Sequence, residues 1–325
     1  MTDSFNGPTA SLTATAIFAL ALCGSLLLKF WLAGRQISHV ARNRAAVPSA
    51  FAERITLAAH QKAADYTVAK TRFAMIELAW GAALAIGWTL LGGLHTLNQL
   101  LVEWMGHGLL QQIALVALFI TVGGLLDLPF TLYQTFVIEE RFGFNKTSLS
   151  LWLQDFAKSL LLSALIGLPF ITLVLWMMGA TGPWWWLWVW GVWMGFNLLA
   201  LLIYPTWIAP MFNKFQPLED PQVKDRVSQL MARCGFTSKG FFVMDGSKRS
   251  AHANAYFTGF GASKRVVFYD TLLAQLSPSE VDAVLAHELG HFKHQHVIKR
   301  ISAMFAMSLA GFFALGWVSQ QAWFF

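Results

Sequence analysis

The stretch SLLLSALIGLPFITLVLWMMGATGPWWWLWVWGVWMGFNLLALLIYPTWIAPMFN covers Ser159–Asn213 and contains no charged residue. A transmembrane helix needs about 20 predominantly apolar residues, so this stretch is long enough for two membrane spans. The segment Gly179–Pro183, GATGP, is rich in turn-forming residues and divides the stretch into two parts. The stretch therefore predicts two helices that cross a lipid bilayer and are joined by a short turn.

Other uncharged apolar stretches lie on both sides of this one. They are Ser4–Leu28, Leu78–Val102, Trp104–Leu126 and Ile301–Phe325. The chain of 325 residues is 56% hydrophobic and only 12% charged, whereas an average soluble domain carries about 25% charged residues. We therefore expect an α-helical integral membrane protein with about six spans, and the composition argues against a soluble globular enzyme.

The 23 lysine and arginine residues predict the orientation of these spans. In a six-span arrangement they all fall on one side of the membrane: at Lys29, in Arg35–Arg72, in Gln134–Lys158 and in Lys214–Arg300. Basic loops face the cytoplasm, so we expect a multi-pass protein of a bacterial inner membrane with this side in the cytoplasm. Topology accounts for the net charge of +6, so we expect the lipid bilayer and no nucleic acid as a partner.

The region 208–300 has ordinary polarity and predicts a small α+β domain in the cytoplasm. It follows an N-terminal membrane domain of five spans, residues 1–207, and precedes a sixth span, residues 301–325. Near its end, Ser277 and Glu280 have the spacing of a capping box, and Pro278 stands at the first helical position. A helix is therefore expected to begin here.

This helix carries the motif HELGH, residues 287–291. His287 and His291 are four residues apart and so lie about 40° from each other around the helix axis, which lets both imidazoles bind one metal ion. Two neutral imidazoles suit Zn²⁺, which lowers the pKa of a bound water towards about 7. Glu288 lies about 100° round the helix and can take a proton from that water and pass it to the leaving amine. The alternative is a helix face with solvated histidines.

His294 lies seven residues after His287, about 20° from it on the same helix face. This position makes His294 a possible ligand, or else a second-shell or solvated residue. The expected cofactor is one zinc ion per chain.

Two short segments before the motif, Asn254–Gly261 and Arg265–Asp270, are expected to form strands with a turn at Gly261–Ser263 between them. The second segment is rich in β-branched and aromatic residues. Zinc proteases often hold a peptide by adding it to an exposed strand edge. Asn254, Ala255 and Tyr256 are therefore candidate substrate-binding residues, and a hairpin with only a structural role is the alternative.

Several stretches together carry a family resemblance. They are FVIEERFGFNKTS (Phe136–Ser148), IAPMFNKFQPLED (Ile208–Asp220), NAYFTGFGASKRVVFYDTLL (Asn254–Leu273) and VLAHELGHFKHQH (Val284–His296). In them the chain resembles the CAAX prenyl protease type 1 family of membrane-embedded zinc metalloproteases. The resemblance implies a helical barrel around a water-filled chamber, His287 and His291 as zinc ligands and Glu288 as the catalytic base.

The chain departs from this family after the motif. Family members supply a third zinc ligand, a glutamate, from a helix well downstream, but no Asp or Glu follows Glu288 before Phe325. We therefore expect the chain to be truncated before the third ligand, although Asp245 or Asp270 could substitute for it.

The leading hypothesis is a zinc-dependent membrane endopeptidase that cleaves CAAX-type or other membrane-associated peptide or protein substrates. The alternatives are a catalytically inactive, truncated protein of the same fold and a transporter that uses charges at the ends of the spans. The transporter reading is the weaker of the two, because the sequence contains no internal repeat of the kind that many transporters have.

Overall fold

The computed structural model describes residues 8–236, 238–258 and 264–321, which are mostly helical. The α-helices are α1 (Pro8–Asn43), α2 (Leu57–Trp88), α3 (Gly93–Met105), α4 (Leu109–Tyr133), α5 (Leu149–Ala180), α6 (Trp185–Ile203), α7 (Ala209–Phe212), α8 (Pro221–Arg233), α9 (Asp270–Gln275), α10 (Pro278–Lys293) and α11 (His296–Val318). The strands are β1 (Phe215–Pro217), β2 (Ser238–Met244), β3 (Ala255–Thr258) and β4 (Lys264–Tyr269).

Within the described part of the chain, five helical stretches are long and apolar enough to cross a membrane, and the bent pair of α2 and α3 makes a sixth if it counts as one span. The five are Thr9–Asn43, Leu109–Glu139, Leu149–Ala180, Gly182–Phe212 and His296–Val318. Large apolar side chains on them are exposed, such as Leu20 at 72%, Leu161 at 69% and Met307 at 76%, as expected of surfaces in contact with lipid. The prediction of an α-helical membrane protein of about six spans with a small α+β region is confirmed.

The predicted span Leu78–Val102 is not one straight helix. The axes of α2 and α3 differ by 48° at the break between them. Gly92 has a φ of 77°, a left-handed conformation that glycine adopts without steric cost. A Cβ on Gly93 would lie 2.7 Å from the carbonyl oxygen of Gly87. This close approach of the backbone to itself requires glycine at position 93, so the two adjacent glycines account for the bend.

Several helices extend beyond the uncharged stretches. Because α1 continues to Asn43 and α2 begins at Leu57, most of Arg35–Arg72, expected as a loop, is helical. Likewise, α11 begins at His296 and not at Ile301. Lysine and arginine are good helix formers, so a charge can end an uncharged stretch without ending the helix. The outer ends of the first and sixth predicted spans, in 1–7 and 322–325, lie outside the described residues.

The chain divides into two compact units. The first consists of Met1–Gly143, Ala164–Trp176 and Val318–Phe325, and the second of Phe144–Ser163 and Met177–Trp317. The second unit contains all the described strands and the HELGH motif. The expected division into 1–207, 208–300 and 301–325 remains a prediction.

The four strands form one sheet in the order β1-β2-β4-β3. β2 and β4 are parallel, while β1 and β3 each pair antiparallel at an edge. Strands β3 and β4 lie where the sequence predicted them, and the turn expected at 261–263 is outside the described residues. One face of the sheet presents Ala255, Val266 and Phe268 to a buried core that also contains residues of α8, α9 and α10.

A polar cluster within the second unit joins the segment between β2 and β3 to α5 and α7. The Arg249 guanidinium donates from Nε and Nη2 to Asp155 at 2.7 and 3.0 Å, and from Nη1 to Asn213 Oδ1 at 2.8 Å. The carbonyl oxygen of Arg249 accepts from the Lys146 N–H and the Thr147 hydroxyl, both at 3.1 Å. The side chains of Arg249 and Asp155 are only 22% and 20% exposed, so removal of either would leave a poorly solvated charge.

Candidate metal centre

Helix α10 begins where the sequence predicts. The backbone N–H of Ser277 donates to Glu280 Oε2 at 2.8 Å, which is one half of the capping box. Val281, Leu285 and Leu289 recur every four residues and are buried in the core beside the sheet. Because these three occupy one side of the helix, His287, Glu288 and His291 project from another side.

The imidazoles of His287 and His291 converge. Their Nε2 atoms lie 3.2 Å apart, and the ring planes are at 89°. Two nitrogen ligands of a tetrahedral zinc ion, each bound at about 2.0–2.1 Å, are about 3.3 Å apart. The two side chains therefore fit one zinc ion without rearrangement. Glu288 completes the group, since one potential ligand atom from each of the three residues lies within 4.8 Å of the others.

His296 contacts the group formed by His287, Glu288 and His291. The sequence did not predict this contact. α10 ends at Lys293, Gln295 has a φ of 54°, and α11 begins at His296. This turn brings Nδ1 of His296 to 2.9 Å from Nδ1 of His291. A histidine that binds a metal ion through Nε2 is usually oriented by a hydrogen bond at Nδ1, so His296 is placed to orient His291.

His294 occupies the C-cap of α10, where the helix has already ended. Its backbone N–H still donates to the carbonyl oxygen of Gly290 at 3.0 Å, so the helical hydrogen bonds extend to His294 and the chain turns away only at Gln295. The ring of His294 stacks against that of His296, with centroids 5.7 Å apart. A role for His294 at the metal centre stays a prediction.

The two carboxylates considered as substitute ligands have other roles. Asp245 Oδ1 accepts a hydrogen bond from the backbone N–H of Lys214 at 2.7 Å. Asp270 Oδ1 accepts from the backbone N–H groups of Ser247 and Thr271, both at 2.8 Å. Within residues 8–236, 238–258 and 264–321, His287, Glu288 and His291 are the only cluster of potential ligands suited to a metal ion.

The candidate substrate-binding residues lie in or next to the edge strand β3. Tyr269 N–H donates to the carbonyl oxygen of Asn254 at 3.0 Å, and Tyr256 pairs with Val267 in the same register. Since hydrogen-bonding direction alternates along an antiparallel strand, the peptide groups of Ala255 and Phe257 point away from β4. Asn254 Oδ1 accepts from the Ala255 N–H at 2.8 Å. The outward groups that remain are therefore the carbonyl of Ala255 and both peptide groups of Phe257.

This edge lies beside the helix that carries the motif. The ring of Phe257 packs edge-on against that of Phe292 in α10, with centroids 5.4 Å apart. Burial raises the pKa of Tyr256 to about 12, so its hydroxyl, already protonated at neutral pH, remains a hydrogen-bond donor well into the alkaline range.

Comparison with known proteins places both parts of the chain in one family. Residues 36–214 match the family described as CAAX prenyl protease N-terminal, five membrane helices, and residues 217–322 match peptidase family M48. The CAAX prenyl protease 1 homolog of Oryza sativa subsp. japonica is 42% identical over 191 residues, which are 58% of this chain and 45% of that protein. CAAX prenyl protease 1 of Saccharomyces cerevisiae is 44% identical over 193 residues, 59% of this chain and 42% of that protein.

A solved structure shows the same fold. The crystal structure of S. mikatae Ste24p superposes with a TM-score of 0.83 at 31% identity, and the match covers 91% of this chain and 70% of that one. The chain spans less than half the length of the two curated relatives named above.

Proposed function

This chain belongs to the CAAX prenyl protease family of M48 membrane metallopeptidases, and we propose that it is a zinc-dependent endopeptidase. Its proposed substrates are prenylated CAAX-type peptides or other membrane-associated proteins. The proposed location is a bacterial inner membrane, with the HELGH motif on the cytoplasmic side. The observation that carries the proposal is the 3.2 Å separation of the His287 and His291 Nε2 atoms beside the Glu288 carboxylate.

In this mechanism, side chains of the protein hold the metal ion and transfer the proton. His287 and His291 would hold one zinc ion through their Nε2 atoms, which lie 3.2 Å apart, while His296 would orient the ring of His291 from Nδ1. Zinc, when bound, supplies Lewis-acid chemistry that polarises the scissile carbonyl and makes water more acidic. Glu288 accepts a proton from the attacking water at a carboxylate oxygen and transfers it to the leaving amine.

The peptide lies along β3 in the proposed complex. The outward peptide groups of Ala255 and Phe257 pair with its backbone, a binding mode that is largely independent of side-chain identity. Asn254 shapes this edge because its side chain already accepts from the Ala255 N–H. Tyr256 contributes through its side chain, since its own peptide groups face β4.

The competing function is that of a catalytically inactive member of the family, and hydrolysis separates the two. We expect Glu288→Gln to lower the hydrolysis rate of a farnesylated CAAX peptide by at least about 100-fold, the usual contribution of a general base. Zinc content should equal that of the unsubstituted chain, because Glu288 acts on water and not as a ligand. The measurement combines peptide cleavage by mass spectrometry with metal analysis of purified protein.

His287→Ala should instead remove the zinc together with the activity. Glu219→Gln, at an exposed carboxylate outside the motif, is the matched control and should change neither quantity. Retention of more than about a tenth of the activity in Glu288→Gln would exclude Glu288 as the general base.

A further inference from the structure

A cavity of about 800 Å³ lies between β3, α6 and the first turns of α11. Leu201, Ile301 and Met304 make part of its wall apolar, and Tyr256 lines it from the side of the edge strand. Among the described residues that line the cavity, Arg300 is the one with a charged side chain. The cavity therefore combines an apolar wall, a strand that can bind peptide and a single guanidinium group.

Arg300 lies on α11, the helix that follows the HELGH motif. It lies four residues after His296 in α11, so the two share a helix face and are separated by a rise of about 6 Å. His296 in turn contacts His291. An extended peptide advances about 3.3 Å per residue, so Arg300 is within reach of a substrate group roughly two to four residues from the scissile bond.

Arg300 is exposed and, like several other arginines, forms no ion pair within the described parts of the chain, so its guanidinium can bind a ligand. Arginine presents a planar set of donors that matches a carboxylate in bidentate geometry. An apolar cavity around such a donor suits a carboxylate carried by an apolar residue, which is the chemistry of a peptide's C-terminal end.

We propose that Arg300 binds the free C-terminal carboxylate of the peptide substrate, and that the cavity receives the apolar side chain of the last residue. The proposal rests on the proposed function, because it takes the peptide to lie along β3. The other reading of Arg300 is an anchor for lipid headgroups. Lys299, its neighbour in α11, would serve as such an anchor equally well but does not line the cavity.

The test compares two farnesylated, fluorescein-labelled CAAX peptides that differ only in ending with a free carboxylate or a carboxamide. Binding is measured by fluorescence anisotropy on the full chain with the Glu288→Gln substitution in the presence of zinc, so that the peptide is not consumed. We expect the acid to bind about 10- to 100-fold more tightly than the amide, which is the scale of hydrogen bonds to charged groups. Arg300→Gln should remove this preference and leave amide binding unchanged.

Arg300→Lys should keep part of the preference, since it retains the charge and loses the bidentate geometry. Lys299→Gln is the matched control and should retain the preference in full. Equal binding of acid and amide by the chain with native Arg300 would overturn the proposal without any variant. It would also be overturned if Arg300→Gln, like Lys299→Gln, left the preference for the acid unchanged. Because the assay reads binding, an absence of hydrolysis in the native chain would contradict only the proposed function.

Discussion

His296 reaches His291 across the end of a helix, and this single contact distinguishes it from the other histidines near the motif. Its Nδ1 lies 2.9 Å from Nδ1 of His291, where a hydrogen bond would orient the ring of the proposed zinc ligand. Spacing along the sequence could not reveal this contact, because α10 ends before His296 and Gln295 takes a left-handed conformation between the two helices.

We expect His296→Ala to weaken zinc binding by roughly 10- to 100-fold, the usual effect of losing a residue that orients a metal ligand. Competition with a zinc chelator of known affinity measures the change. His294→Ala, two residues away, is the matched control and should have little effect. The reverse outcome, in which only His294→Ala weakens zinc binding, would support the interpretation based on helix spacing.

At the scale of secondary-structure elements, the sequence predicted the features that depend only on residues adjacent in the chain. The capping box of Ser277 and Glu280 located the start of α10, and β-branched and aromatic residues located β4. The bend between α2 and α3 was missed, because hydropathy alone does not reveal the close approach of Gly93 to the Gly87 carbonyl. The strand order β1-β2-β4-β3 was not predictable either, since it depends on pairing between distant segments.

The geometry of the edge strand β3 predicts which N–H groups of the substrate backbone form hydrogen bonds. Its outward carbonyl groups belong to Ala255 and Phe257, two residues apart, so an added strand must donate from every second N–H. We expect N-methylation of alternate substrate residues around the scissile bond to lower kcat/KM about tenfold, on the scale of a lost hydrogen bond. N-methylation of the intervening residues is the control. A uniform effect at every position would argue against addition to β3.

At the scale of the whole molecule, the distribution of basic residues predicts how the chain crosses the membrane. Cysteines placed singly at positions 62, 107 and 224, with Cys23 and Cys234 replaced by Ser, test this with a membrane-impermeant maleimide. In intact cells we expect labelling at position 107 only. Exposure of position 107 at the outer surface requires α2 and α3 together to cross the bilayer. Labelling at positions 62 and 224 should need permeabilisation, and strong labelling there in intact cells would refute the orientation.

Uncharged stretches predicted the membrane helices because hydropathy is a property of consecutive residues. The pairing of Asp155 with Arg249 was not predictable, because the charges are 94 residues apart in the chain and either could equally have been solvated at a span end. The convergence of His287 and His291 was predictable, because four residues of helix suffice to fix it.

Because Asp155 and Arg249 are far apart in the chain, they are synthesised at different times. A ribosome adds about 5–20 residues per second, so Asp155 leaves the ribosome roughly 5–20 seconds before the arginine that will neutralise it. During this interval the start of α5 carries an uncompensated carboxylate while the following apolar helices are being inserted. Biogenesis of this protein thus includes a period in which Asp155 depends on water, lipid headgroups or the insertion machinery for its counter-charge.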